Sequence, residues 1–490
     1  MRCARPQVGE RMLPRAEDDR RPLQAYAGIP THEETAMPIK LTQPFDDTVI
    51  STQEKSFLRN LQANILKGHG REHVALLFLE VTDAPKARAF LHAFPVTDAH
   101  TQLQDALQFK ATRSPGGVVR LAFLSQRGMA KFGRQGAFQG FGAFASGMAA
   151  DAEVLDDGTT ASWQNELKRP LDVLLLVAYH HEADFARIVG KLAADLGKED
   201  SGFAIRFVQE GRAYRNADGE GIEHFGYVDG RSQPLMLQSE LAKEPRTVYD
   251  PAAPLSQFLV PDPLDPAGAS SHGSFFVFRK LEQNVAGFKQ AEEALAADVG
   301  MTGTDEERAG AQVVGRFEDG TPLTLHQAAA GVPVANDFDY SADANGGKCP
   351  FHAHIRKSNP RGSSPGGLAF DKSVQMARRG ITYGVRLQDP DTKELVDQPN
   401  DGVGLLFMSY QASIEQQFHF MQTAWVNNEN FPKASIGMDP IIGQRGTLGQ
   451  HWPPTYGSDA GAIQKLFAGF VTLKGGEYFF APSIAGLRNL

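Results

Sequence analysis

Cysteine is nearly absent from this chain of 490 residues: only Cys3 and Cys349 occur. Two cysteines so far apart exclude a disulfide-stapled scaffold and a CxxC zinc ribbon. Basic charge is not in excess. Forty-nine Lys and Arg against 58 Asp and Glu leave a net charge of −9 with His neutral. These charges are spread along the chain, so the basic stripe of a dedicated nucleic-acid binder is missing. No run approaches the roughly 18 apolar residues of a membrane-spanning helix. Trp (3) and Tyr (10) are scarce beside 32 Phe, which points to Phe-rich interiors. With 41% hydrophobic and 22% charged residues, the chain can bury large cores, unlike a disordered or fibrous one. Its length suggests two to four domains.

Residues 1–48 read as a polar, flexible extension, with Met37 as an alternative start. Arg20-Arg21 has the look of a twin-arginine export signal, but no apolar core follows it. A cytoplasmic location is the expectation. Beyond the extension, hydrophobic periodicity predicts strands at 73–81, 117–124, 171–179 and 203–209. Helices are predicted at 84–94 and 183–196, with a weak one at 140–150. This β-α-β-(α)-β-α-β order is that of a ferredoxin-like unit, an antiparallel sheet with helices on one face. A Pro-, Ala-, Asp- and Ser-rich connector covers 250–271. A second set then begins, with strands at 274–278, 403–410 and 478–481 and helices at 284–299, 304–314 and 413–427. Between them, 336–365 is a long Gly-, Asn- and Pro-rich loop, and loops of that length are usually functional or disordered. The expected fold is α+β, with an N-terminal half over 49–250 and a C-terminal half over 251–490.

Three constellations could carry chemistry. In Cys349-Pro-Phe-His-Ala-His354, a zinc site is one reading, because His352 and His354 share a face if the segment is extended. Packed or exposed histidines are another, and a single axial imidazole to haem is a third. The following Ile-Arg-Lys-Ser-Asn-Pro-Arg361 places Arg356 and two more cations beside the histidines. That suits an anionic partner such as haem propionates better than a bare divalent cation. Gly226-Tyr-Val-Asp-Gly230 sets Asp229 near a tight turn, where an ordinary turn aspartate is also at home. Ala377-Arg-Arg-Gly-Ile-Thr-Tyr-Gly384 carries a basic pair that taken alone is unremarkable.

Together these segments resemble dye-decolourising peroxidases, in their longer-chain subgroup. The resemblance runs from about Leu61 through QANILKGHGR, GYVDG, GSFFVFRKLEQN, CPFHAHIRKSNPR, RRGITYG, GLLFMSYQ and GEYFFAPS. It implies two ferredoxin-like halves, with one haem b per chain held mainly in the C-terminal half. It also implies hydrogen peroxide and aromatic reductants as partners, and one-electron oxidations through a ferryl haem with a porphyrin radical. His354 would be the axial iron ligand, with His352 off-register on or behind the pocket wall. Asp229 would be the distal acid/base, held ionised at acidic pH by the neighbouring distal cation Arg378. Leu405 and Phe407, alternating on a strand, would form an apolar distal wall. Glu415 is the expected carboxylate partner of the axial histidine, with Glu477 second. Tyr383 and Trp425 are expected as surface electron-transfer sites for bulky donors. The competing expectations are a porphyrin-handling protein of the same fold and a zinc- or haem-binding regulatory module.

Overall fold

Strand β1 (His73–Val81) carries an apolar side chain at almost every position because both faces of it are covered. Ala75, Leu77 and Leu79 face one hydrophobic cluster, and Val74, Leu76 and Phe78 face another. A period-2 strand with two buried faces has no polar side to display. The computed structural model describes residues 39–490 apart from 139, 332 and 333. In its N-terminal half, β1 pairs antiparallel with β3 (Val173–Tyr179) and β4 (Phe203–Arg212), and β3 pairs with β2 (Val119–Leu124). The order is therefore β2-β3-β1-β4. The helices Ala84–Ala93 and Glu182–Leu196 cover one face. Asp83 starts the first by accepting from the Lys86 N–H, and the second buries Phe185, Val189 and Leu196.

The C-terminal half repeats the plan with β5 (His272–Gln283), β6 (Ala377–Arg378), β7 (Ile381–Tyr383), β8 (Gly404–Gln411) and β9 (Val471–Ala481). Its order, β7-β8-β5-β9 with β6 also on β8, again places the first strand, β5, inside the sheet next to the last, β9. The halves join where Phe480 of β9 pairs with Leu124 of β2. At the far edges, the Thr382 hydroxyl donates to the Arg212 carbonyl. A Cβ on Gly211 would lie only 2.7 Å from Ile381 Cγ2. Strands β4 and β7 thus approach closely and the sheet curls towards a barrel. Phe78 lies 4.9 Å from Phe278, and Phe123 stacks 4.4 Å from Phe276. Strands β1 and β5 are not neighbours in the sheet, so the first contact crosses the interior. The surplus of Phe is spent there.

Several predicted elements change on folding. The helix expected at 140–150 shrinks to Gly142–Ser146, and a helix at Ala99–Thr112 occupies a stretch with no predicted element. Strand β9 begins at Val471, seven residues before the predicted start. Gly475 and Gly476 and a bulge after Leu473 mask its period. The helix expected at 413–427 is wound as two π turns, Ile414–His419 and Met421–Val426. Part of the extension expected over 1–48 packs against the fold. Ile39 and Phe45 are buried, and the Phe45 N–H donates to the Met236 carbonyl at 2.8 Å. Residues 1–38 lie outside the described residues. Among the described residues no helix is long and apolar enough to cross a membrane.

Two outcomes test this packing. Phe78→Ala should lower stability by about 3–5 kcal/mol in denaturant melts, whereas the exposed Leu107→Ala should stay within about 0.5 kcal/mol. His272 is buried, and burial lowers its imidazole to about 4. Between that value and the unfolded 6.5, the unfolded chain binds more protons than the folded one, so stability is lost as pH falls through this window. In His272→Phe, the apo-protein melting point should fall less between pH 7 and pH 5. The difference should correspond to at most about 1.4 kcal/mol per pH unit.

Candidate functional site

The side chains of Leu405 and Phe407 project from the same face of β8, directly opposite Leu281 and Arg279 of β5. All four line a cavity of about 690 Å³. Arg279 does not make this wall a charged one. It is clamped to the buried carboxylate of Asp157 at 2.8 and 2.5 Å, and its guanidinium lies 5.4 Å from the Phe418 ring centroid. Phe418, Met421 and Val426 from the π turns, with Met376, Ile355, Ile441 and Ile442, complete an apolar lining.

His354 opens the short helix His354–Ser358 and also lines the cavity. Its Nδ1 lies 2.8 Å from Oδ2 of Asp439, which is fully buried. The other Asp439 oxygen accepts the N–H groups of Ile441 and Ile442 at 2.8 and 3.0 Å. Burial alone would push the imidazole down and the carboxyl up. The paired charges overcome it, so the histidine is raised and the aspartate lowered. Lys357, three residues on, donates to the carbonyls of Asn428, Phe431 and Gly437 at 2.7, 2.7 and 2.8 Å. It thereby holds the segment leading to Asp439, and burial lowers its ammonium to about 8.

The carboxylate on the histidine is therefore not Glu415. That side chain accepts the Ala143 N–H at 2.8 Å and the Ser413 hydroxyl at 3.3 Å. Nor is it Glu477, which accepts the N–H groups of Met148 and Tyr478 and is pushed by burial to about 7. Asp439 was legible only as the turn-forming Asp-Pro pair at 439–440. Nothing in its 85-residue separation from His354 announced the contact.

Arg356 also needs correction. It is buried away from the cavity, donating to Asp343 at 2.8 Å and to the Cys349 carbonyl, with Tyr340 and Phe351 at 4.5 and 4.3 Å. The cations that do line the cavity include Arg316 and Arg361, which share the Ser232 hydroxyl as acceptor at 3.0 and 3.1 Å. Burial and the neighbouring Arg361 charge lower Arg316 to about 9. Arg361 closes the IRKSNPR motif, whereas no sequence signal marked Arg316. His352 packs against Trp452, 4.3 Å between ring centroids, outside the cavity lining. Cys349 is buried as a thiol pushed up to about 12. Among the described residues no three His, Cys, Asp or Glu side chains form a metal cage, so the zinc reading has no ligand set.

Asp229 and Arg378 line the same cavity, and both charges are felt at His354. Positive φ at Gly226 (100°) and Gly230 (80°) shapes the turn around Asp229, whose Oδ1 accepts the Gly230 N–H at 2.6 Å. Gln233 accepts the Arg378 N–H at 3.1 Å, and the Arg378 guanidinium donates to the Ser232 carbonyl at 3.3 Å. Strand β6 is thus tied to the chain just beyond Asp229, although no direct ion pair joins Asp229 and Arg378 among the described residues. Arg379 also lines the cavity, but it is committed to the carbonyls of Asn64, Ile65 and Arg378, each at 2.9 Å. The expected surface aromatics are not at the surface. Tyr383 is 4% and Trp425 2% exposed. Trp425 stacks on Phe431 at 5.0 Å, and the Tyr383 hydroxyl has no hydrogen-bond partner among the described residues.

A sequence-family model described as the DyP dimeric alpha+beta barrel domain matches residues 60–203. The chain is 41% identical over 472 residues to the multifunctional dye peroxidase DyP2 of Amycolatopsis sp., covering 93% of this chain and all of the relative. It is 29% identical to Peroxidase 2 of Mycetinis scorodonius, over 88% of this chain and 87% of that protein. The solved Amycolatopsis DyP2 structure superposes with a TM-score of 0.86 at 40% identity, covering 92% of this chain and 100% of that one. The Anabaena DyP-type peroxidase superposes at 0.82 with 35% identity, covering 89% and 94%. Identity of this level over the whole of a relative, on the same fold, makes the chain a member of the dye-decolourising peroxidase family.

Proposed function

We propose that this protein is a haem peroxidase that uses hydrogen peroxide to oxidise dyes and other aromatic donors, with a single haem b held at His354. The observation that carries this reading is the contact between His354 and the buried Asp439 at the edge of a cavity that also holds Asp229 and Arg378. The donor set fits haem and not a bare ion. It offers one imidazole with a fixed Nδ1 proton, a broad apolar lining for a flat macrocycle, and Arg316 and Arg361 for its two carboxylates. The imidazole keeps 27% of its side-chain surface open. A porphyrin-handling role without oxidation would have no use for Asp229 and Arg378.

When bound, haem supplies an iron that can take peroxide as ligand and can accept electrons from donors one at a time. His354 would offer Nε2 to that iron. Asp439, by accepting the Nδ1 proton, fixes the tautomer and raises the basicity of the ligand. Leu405 and Phe407 keep their side of the cavity dry, so charges on the few polar groups there act at low screening. Asp229 accepts the proton from the inner oxygen of hydrogen peroxide and returns it to the outer oxygen, which leaves as water. Arg378 donates towards the oxygen that gains negative charge as the O–O bond breaks.

His354→Ala should lose the Soret band of the purified protein. Asp439→Asn should weaken haem retention or activity about 10–100-fold, the usual cost of losing a partner behind a metal ligand. Glu415→Gln should leave both unchanged. Asp229→Asn and Arg378→Leu should keep the Soret band but slow peroxide-dependent dye oxidation by about 10²–10⁴-fold. Undiminished dye oxidation in both variants would sink the peroxidase assignment of these residues.

A further inference from the structure

The loop that carries Asp229 closes on a second carboxylate. Glu223 lines the cavity, and its Oε2 accepts the Phe225 N–H at 2.9 Å while its Oε1 accepts the Tyr227 N–H at 3.0 Å. The backbone repeats the closure. The Glu223 N–H donates to the Tyr227 carbonyl at 3.1 Å, the Gly226 N–H to the Glu223 carbonyl at 3.0 Å, and the Asp229 N–H to the Gly221 carbonyl at 3.0 Å. Residues 221–229 are therefore wound around one side chain, and Asp229 ends the ring. A third donor ties that side chain to the sheet. Gln283, the last residue of β5, directs its Nε2–H to Glu223 Oε2 at 2.6 Å. On the outer side, the Tyr227 hydroxyl donates to Glu292 of the helix Val285–Asp298. The Val228 N–H donates to the Glu318 carbonyl at 3.1 Å.

Gln283 has an unused atom. It lines the cavity and is buried, and its Oε1 has no hydrogen-bond partner among the described residues. A buried acceptor left unpaired is costly. A side-chain amide can turn over about its last bond, exchanging Nε2 and Oε1. As it stands, the amide donates to a carboxylate; turned over, it accepts the O–H of a carboxylic acid. Glu223 is a group that takes both forms. Burial, opposed by its three donors and assisted by the Asp229 charge, raises its carboxyl to about 7. The other charges packed around the loop are paired. Lys289 lies 2.9 Å from Glu292 and 2.5 Å from Glu318. Arg386 holds Asp397 at 2.8 Å and donates to the His224 carbonyl at 2.6 Å. The His224 imidazole is itself buried, and burial lowers it to about 4. We infer that Glu223 is the residue that positions Asp229, and that Gln283 allows it to do so whether it is ionised or protonated.

The inference rests on the haem-peroxidase reading, which gives Asp229 a proton to move. Asp229 has to lie within hydrogen-bond reach of the inner peroxide oxygen, and a misplacement of about 1 Å can cost about 10²-fold in rate. Glu223 acts on that distance through the loop. In its ionised form, all three N–H groups meet carboxylate oxygens. In its protonated form, Oε2 carries the proton and donates it to the turned Gln283 amide, while both oxygens still accept from Phe225 and Tyr227. The ring keeps its shape in either state. An amide in place of the Glu223 carboxyl cannot do this. Phe225 and Tyr227 donate to different oxygens, so an NH2 group at either position sets donor against donor.

The experiment mixes the haem-loaded enzyme with hydrogen peroxide in a stopped-flow instrument at about pH 5 and about pH 9, on either side of the Glu223 carboxyl. Each variant is compared with the unmodified enzyme at the same pH. Glu223→Gln should slow the initial reaction with peroxide at least tenfold, by the same factor at both pH values. Gln283→Leu removes donor and acceptor together. It leaves the protonated form with no acceptor for its O–H and the ionised form with two of its three donors. The same step should therefore slow at least tenfold at the acid pH and less than threefold at the alkaline one. In both variants the Soret band should persist, and reduction of the peroxide-oxidised enzyme by an aromatic donor should keep its rate. A peroxide rate in Glu223→Gln within twofold of the unmodified enzyme would overturn the positioning of Asp229. Equal losses in Gln283→Leu at the two pH values would overturn the role given to Gln283. A lost Soret band in either variant, or equal slowing of the peroxide reaction and donor oxidation, would mean general damage to the cavity and would also overturn the inference. Loss of the Soret band or of the peroxide reaction in the unmodified protein would instead overturn the haem-peroxidase reading.

Discussion

The hydrogen bond between His354 and Asp439 is the constraint around which the site is built. A carboxylate removed entirely from water is costly unless its oxygens are satisfied. Here one oxygen takes the imidazole and the other takes the N–H groups of Ile441 and Ile442. This arrangement dictates the local backbone. The 428–437 segment has to be brought against the short His354 helix, and Lys357 does this with three carbonyl contacts and no carboxylate partner among the described residues. The imidazole can then present its remaining nitrogen to the cavity in a fixed direction.

The rest of the cavity shows how charge is kept where it is useful. Arg279 and Arg356 are buried and closely paired with Asp157 and Asp343. They behave as structural braces, one beneath the apolar wall and the other behind the loop that delivers His354. Arg379 spends its guanidinium on backbone carbonyls and fastens the 64–65 segment to the start of β7. Arg316, Arg361 and Arg378, by contrast, have no carboxylate partner among the described residues. Each is held by a carbonyl or a hydroxyl, including the backbone carbonyl and side chain of Ser232. Cations positioned without being neutralised are what an anionic ligand or a developing negative charge requires.

The π turns at 414–426 serve the same end. They follow directly from β8, so the wall strand and the turns that carry Phe418, Met421 and Val426 are one continuous piece of chain. Winding wider than an α-helix is often found at functional sites. Here it sets Phe418 on the cavity while the next residue, His419, reaches Tyr478 and Asp151.

Much of this was written in local patterns. Nearly unbroken apolar runs such as HVALLFLEV determined the two-sided strands, and their alternation with helices determined two halves of one plan. The alternation of Leu405 and Phe407 determined that they share a face, and the glycines around Asp229 determined the tight turn that presents it. These are short-range properties, set by backbone geometry and a period of two. What pairs with what across the chain was decided only by the tertiary structure. Glu415 stood one turn beyond the wall strand and looked available to His354, yet the fold turned it towards the Ala143 N–H and supplied Asp439 instead. Arg356 stood two residues from His354, but it lies on the side of its helix that faces Asp343. Tyr383 and Trp425 looked free to point outward and are enclosed by neighbours that come from other parts of the chain. Burial and the choice of a hydrogen-bond partner are properties of the assembled packing. A residue's spacing from its sequence neighbours fixes its face, and only the elements that close over that face decide what it meets.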